Sequence, residues 1–440
     1  MTDGGRIRET PQAAVPKTVR SRLRYGVNEA TGWRHFALGP HREEIGNRLR
    51  AIGTQIVRIY VFDRYTPHPV KDWPGFAGYV QAVLEAGATP MITLTRFRPP
   101  FEDAAVLRWF VQRCGELVWS CIEHWGGEVV HNWYWCVWNE PNSPWLNPGL
   151  DFDRYRRIYI EVASEIRRWL APFAAGGRLL IGGPALDTFQ PFWQDWLWRF
   201  VREIDESLIG FILWHRFGEW RAPGEWSAPR HRDIFLDLLM SRSWGYAEAA
   251  AIVRQLAGDR GILNICGRLN ANAHGESRAS GCNQTMFGAV HYALALINLM
   301  RGGADAELYW MGTDAGGPHG LWDQAGRPAP AFHAKQLIAR TIRPGDDILI
   351  EDGGGTSGEL TLVRVRRLGG ERATVIIHSA PRQRSYQVAD TTGGVEPEVV
   401  FHRLDEAAPL RVVTGSLGGG EISFAGLGIA IIGGGVAVLP

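Results

Sequence analysis

From about residue 23 to residue 342, short apolar runs alternate with longer amphipathic stretches. The runs are RYGVN (24–28), IVRIYVF (56–62), ATPMITLT (88–95), WYWCVWN (133–139), LLIGGPA (179–185), LIGFILWH (208–215), GILNICG (261–267) and ELYWMGT (307–313). Nearly unbroken apolar runs of this kind are the pattern of parallel strands covered on both faces. Between them lie helical patterns such as HREEIGNRLRAIG, FDRYRRIYIEVASEIRRWLAP and NQTMFGAVHYALALINLMRGG. Several end in Gly, as helix C-termini often do. Eight strand–helix units predict an α/β chain folded as a (β/α)8 TIM barrel. A doubly wound open sheet is the competing arrangement. The first strand–helix turn, GVNEATGWRHF, lacks the Gly-rich dinucleotide loop that would favour it.

Over residues 343–440 the period changes. DILIEDG, LTLVRVRRL, RATVIIHS, YQVAD, LRVVTG and GIAIIGGGVAVL are short strand patterns set between Gly, Pro and Asp turns, with no long helix. They predict an all-β, sandwich-like accessory domain after the barrel. Residues 1–22 are polar and are expected to form a disordered tail.

Composition narrows the function. Net charge is +1, so nucleic acid is not the expected partner. No apolar run is long enough to span a membrane, and the N-terminus lacks a signal-type apolar segment, which points to the cytoplasm. The five cysteines are widely spaced, with no C-x-x-C, and are expected as buried free thiols; no metal site and no cofactor is expected. The 19 tryptophans suit both a large core and stacking on sugar rings. The sequence does not set an oligomeric state.

In a (β/α)8 barrel the strand C-termini carry the chemistry. The first strand ends at Asn28–Glu29, and the second carries Arg58, Tyr60 and Asp63. The third leads to Arg96 and Arg98, and the fourth ends at Asn139–Glu140. The sixth ends at Trp214–His215–Arg216, the seventh at Gly267–Arg268, and the eighth carries Trp310 and leads to Asp314. This crowded polar rim with Trp neighbours suits a polyhydroxylated ligand, a saccharide. Its arginines hint at an acidic sugar.

The motif VWNEPN after the fourth strand resembles the acid/base motif of clan A glycoside hydrolases, most nearly family 39, the β-xylosidase and α-iduronidase type. VRIYVF, WHRFG and the segment GGPHGLWDQAGRPAPAFHA (316–334) add to the resemblance, which is spread over roughly residues 24–340. It implies that Glu140 is the general acid/base, that Asn139 bonds the sugar 2-hydroxyl, and that His215 orients the catalytic carboxylates. Arg58, Tyr60, Trp310 and Trp322 would line the substrate site, with Trp145 a further stacking candidate.

The pattern breaks at the seventh strand. A retaining glycosidase of this kind needs a second carboxylate about 5–5.5 Å from the first, and the family places a Glu there. Here ILNICGRLNAN puts Gly267 or Arg268 at that position. An Arg stays protonated and has no lone pair with which to attack an anomeric carbon. Three readings remain open. The chain is a pseudo-glycosidase that keeps sugar binding, with Arg268 paired to Glu140 or to an anionic sugar. Alternatively another carboxylate substitutes, with Glu276, Asp314 and Glu29 as options. Or an otherwise ordinary enzyme carries an Arg substitution.

Overall fold

Each of the eight apolar runs forms a strand of one closed parallel barrel. The strands are β2 (Arg24–Glu29), β3 (Ile56–Val61), β4 (Thr89–Leu94), β5 (Tyr134–Val137), β6 (Ile181–Leu186), β7 (Phe211–His215), β8 (Leu263–Leu269) and β9 (Ala306–Tyr309). They follow a shorter strand, β1 (Lys17–Arg20), and β9 pairs with β2 to close the ring. The computed structural model describes residues 17–29, 39–63, 66–95, 103–190, 194–219, 240, 242–274, 281–314, 317–352, 359–387, 400–416 and 421–433.

Among these residues the helices are α1 (Arg42–Ala51), α2 (Trp73–Glu85), α3 (Ala104–Trp125), α4 (Gly127–Val130), α5 (Phe152–Leu170), α6 (Gln194–Glu203), α7 (Gly245–Ala257), α8 (Met286–Gly302) and α9 (Pro330–Thr341). Asp103 starts α3 by accepting from the amides of Ala105 and Val106, which satisfies two of the donors a helix leaves open at its N-terminus. Helix α8 is buried on all sides over Met286–Met300. It packs against α7 and α9 on the barrel and against the accessory sheet, so no face of it over that span meets solvent.

Two apolar layers hold the barrel. The outer one joins strands to helices. The inner one fills the barrel with Ile56, Met91, Tyr134, Cys136, Ala185, Phe211, Leu213, Ile265, Ala306 and Leu308. All five cysteines are buried and unbridged. No helix of the described residues is long and apolar enough to cross a membrane.

After the barrel come β10 (Asp347–Asp352), β11 (Leu360–Arg366), β12 (Arg372–His378), β13 (Arg384–Gln387), β14 (Val400–Asp405), β15 (Val413–Ser416), β16 (Glu421–Phe424) and β17 (Gly428–Ile432). They form an antiparallel seven-stranded sheet, in the order β1-β10-β11-β12-β17-β14-β15, and a two-stranded ribbon of β13 and β16. Ile422, Phe424 and Tyr386 of the ribbon pack with Ile376, Ala430 and Ile432 of the large sheet.

The expected N-terminal tail needs a correction at its inner end. Lys17–Arg20 pairs antiparallel with Asp347–Ile350, and Ser21 exchanges backbone bonds with Gly345 and Asp346. Leu23 is fully buried. The run KTVR is too short and too basic to read as a strand; backbone pairing to the edge of the accessory sheet, rather than side-chain burial, orders it.

Candidate functional site

Glu140 owes its position to the turn that follows β5. Trp138 and Glu140 both lie in the left-handed region, with φ of 76° and 54°. Such backbone is costly for side-chain-bearing residues and persists only where the surroundings hold it. Here the Glu140 amide donates to Ala185 O at 3.0 Å and the Ser143 amide donates to Glu140 O at 3.0 Å. Asn147 donates from Nδ2 to Glu140 O at 2.6 Å and accepts the Trp138 indole N–H on Oδ1 at 3.1 Å. The local fold thus uses Asn147 to point the Glu140 side chain across the barrel mouth.

One carboxylate oxygen then gathers the site. Glu140 Oε1 accepts from His215 Nδ1 at 2.8 Å and from Arg268 Nη1 at 2.7 Å. Both contacts fall on Oε1; among the described residues no side chain bonds Oε2. Behind His215 stands Arg58, fully buried. Its Nη1 lies 2.9 Å from His215 Nε2, its Nη2 donates to Asn139 Oδ1 at 3.0 Å and its Nε donates to Thr93 Oγ1 at 2.8 Å. A guanidinium only donates, so His215 Nε2 must accept, and the ring proton sits on Nδ1 and points at Glu140. Burial, followed by the charges of Arg268 and Arg58, pushes His215 well below its usual 6.5, which keeps the ring neutral. Glu140 Oε1 is therefore an acceptor toward one neutral donor and one cation.

Arg268, on β8, is one of the two residues that the family resemblance would set at the second carboxylate's position. Its side chain is 14% exposed. Its guanidinium stacks 3.9 Å from the Trp310 ring centroid, and its Nε donates to Tyr60 OH at 3.1 Å. The Tyr60 hydroxyl in turn donates to Asn28 Oδ1 at 2.7 Å. Asn28 in turn donates to the carbonyls of Gly267, Leu308 and Tyr309. The peptide joining Trp310 to Met311 is cis. Tyr60→Phe should leave Asn28 Oδ1 and Arg268 Nε each without a partner and lower stability by about 2 kcal/mol, read from the denaturant midpoint.

The structure thus brings Glu140, His215, Arg58, Asn139, Arg268, Tyr60 and Trp310 together. Trp322 is a correction. It is 1% exposed, donates its indole N–H to Thr313 Oγ1 at 2.9 Å and packs on Phe332, so it offers no face to a ligand. Trp145 is 88% exposed. Glu276, Arg96 and Arg98 lie outside the described residues. Glu29 does not supply the missing carboxylate. It is fully buried, bonded to Thr313, and burial pushes it up to about 8. Asp314 accepts from the Gly317 amide in the loop after β9. No group of His, Cys, Asp and Glu among the described residues is placed to hold a metal ion.

The sequence reading missed Asp187, one residue beyond β6. Its amide donates to Asn142 Oδ1 at 2.9 Å. Burial, then the charge of Glu140, pushes its carboxyl from 3.8 up to about 6, against the Ser143 side chain and the charge of Arg268. Applying the strand-end search to the fifth strand would have found it: Asp187 follows the apolar run as directly as Glu140 follows the fourth.

No family model and no curated protein sequence matches the chain. Among solved structures it is similar to a family 39 glycoside hydrolase, a β-xylosidase from Caulobacter crescentus, with a TM-score of 0.65 and 15% identity over 96% of this chain and 98% of that one. A 4-O-α-L-rhamnosyl-β-D-glucuronidase from Fusarium oxysporum gives a TM-score of 0.66 and 11% identity over 96% and 99%. A family 30 endoxylanase from Clostridium papyrosolvens gives 0.59 and 13% over 94% and 97%. The chain has the fold of these clan A glycoside hydrolases, a (β/α)8 barrel with an appended β-domain, over 94–96% of its length.

Proposed function

We propose that the chain is a glycoside hydrolase that cleaves an O-glycosidic bond of a saccharide at the barrel mouth around Glu140. The observation that carries this reading is the order built around Glu140. Three strand ends and a buried Arg fix His215, Asn139 and one carboxylate oxygen, while the other oxygen is left without a bond from the described side chains. A carboxylate held this way is ready to exchange a proton with water or with a leaving group. Asn139 offers its amide donors to a sugar hydroxyl because Arg58 already occupies its oxygen. Tyr60 and Trp310 wall the site.

A second reading, saccharide binding without turnover, is favoured by the 2.7 Å pair between Arg268 and Glu140. A panel of aryl glycosides offered to the wild type and to Arg268→Glu separates the two. Turnover by the wild type supports the hydrolase. A silent wild type beside an active Arg268→Glu variant would sink it and leave a pseudo-glycosidase.

A further inference from the structure

The barrel mouth holds two buried guanidiniums and bonds them to a single carboxylate. Arg58 is fully buried, and every acceptor it reaches is neutral: Thr93 Oγ1, Asn139 Oδ1, the Gly267 carbonyl, Cys136 Sγ and His215 Nε2. Arg268 bonds Glu140 through Nη1. Asp187, whose charge also acts on Arg268, bonds neither guanidinium among the described residues. Both arginines stay protonated in a folded protein. Their bonded partners therefore leave at least one positive charge unmatched, whichever protonation state Glu140 takes. A buried charge without its counter-charge is costly, and such a site gains from an anion.

Arg268 is held with one end open. Its Nε donates to the Tyr60 hydroxyl and its Nη1 to Glu140 Oε1, while the Trp310 ring covers the guanidinium at 3.9 Å. Nη2 makes no bond to any described residue. The plane of the group is thus fixed, and both N–H donors of Nη2 remain unused. We propose that Arg268 selects a saccharide that carries a carboxylate, a uronic acid residue, and that this carboxylate binds at Nη2. The inference rests on the saccharide reading above and names the sugar class for the same site.

Position and chemistry agree on this. Nη1 lies 2.7 Å from Glu140 Oε1, so a sugar that meets the open oxygen of Glu140 lies beside Arg268 as well. A guanidinium holds a planar carboxylate more tightly than it holds a hydroxyl, because the bond is charge-assisted and the geometries match. The side chain is only 14% exposed, so the ligand's charge acts through a medium less screening than water. A neutral sugar can still bond Asn139, but it leaves the cation unmatched. A lysine at this position would offer a point charge without the flat fork that Trp310 stacks and Tyr60 aligns.

The test uses paired nitrophenyl glycosides in both anomers: glucoside with glucuronide, and galactoside with galacturonide. Binding is read from quenching of tryptophan fluorescence, and turnover from released nitrophenolate. In at least one pair the wild type should favour the uronide by about tenfold or more in Kd or kcat/KM. That preference should weaken as NaCl is raised. Arg268→Gln should bring the ratio within the pair to about one, and Arg268→Lys, which keeps the charge, should retain part of it. A merely structural role would change both members of a pair alike. Neutral members handled as well as the uronides in every pair, or a preference unmoved in Arg268→Gln, would overturn the selection while leaving the saccharide reading standing. A uronide bound with that preference but not cleaved would uphold the selection and sink the hydrolase. A wild type that neither binds nor cleaves any member of the panel would overturn both.

Discussion

Glu140→Gln should lower kcat/KM on any glycoside the wild type hydrolyses by about 10⁴-fold, equivalent to about 5.4 kcal/mol of transition-state stabilisation. The substitution keeps shape and removes charge. The Gln oxygen can still accept from His215 Nδ1 and Arg268 Nη1, so the turn and its left-handed backbone have no reason to move. What is lost is the ability to bind a proton, and no neighbour replaces it. His215 is neutral with its Nε2 lone pair turned to Arg58, and Arg268 and Arg58 are permanent cations. The loss should fall on kcat more than on KM. Tryptophan fluorescence, with Trp310 in the site, should still report binding of the intact glycoside. A loss below about tenfold would remove Glu140 from the chemistry, and an equal collapse of binding would make its role structural.

The same residues show what a sequence discloses and what it withholds. The eight barrel strands were legible because burial on both faces leaves an apolar run whatever the neighbours are. Glu140, Asn139 and His215 could be singled out as neighbours at one barrel face because polar residues at the ends of such runs have few other reasons to be there. The accessory strands β14 and β16 were not, since half-buried, mixed segments such as VFHRLD and EISF carry a weak period. β1 was hidden because its partner lies more than three hundred residues away. Trp322 went wrong in the opposite sense: a Trp in a Gly-rich loop near the site reads equally as a stacking platform or as core, and only the bond to Thr313 decides. Arg268 was read as one of two residues at the β8 carboxylate position, and the structure places it against Glu140. Its consequence needed coordinates, because only the tautomer imposed by Arg58 shows that Glu140 faces two donors at once.

The largest stability effect is expected far from that site, at one of only three lysines in the chain. Lys335 on α9 is fully buried and donates to Gly26 O at 2.7 Å, to Tyr292 OH at 2.8 Å and to the carboxylate of Glu307 on β9. Glu307 is equally buried, and its Oε1 also accepts from the Gly26 amide at 3.4 Å. Lys335→Met should lower stability at neutral pH by about 3–5 kcal/mol, because a buried carboxylate then loses its counter-charge. The sign of the pH dependence follows from Glu307. Burial already raises it above its ordinary 4.5, with Lys335 the main opposing influence. Without Lys335 it rises further, so the folded variant holds a proton that the unfolded chain releases. Stability gained from that proton is present below about 4.5 and is lost as pH rises through the folded value. Urea unfolding of wild type and variant should therefore show a gap that widens from pH 5 to pH 8. A gap that stays flat over that range would mean that Glu307 is not the group left unpaired. Adding Glu307→Leu to Lys335→Met removes the stranded charge, and should recover much of the loss and abolish the pH dependence of the gap.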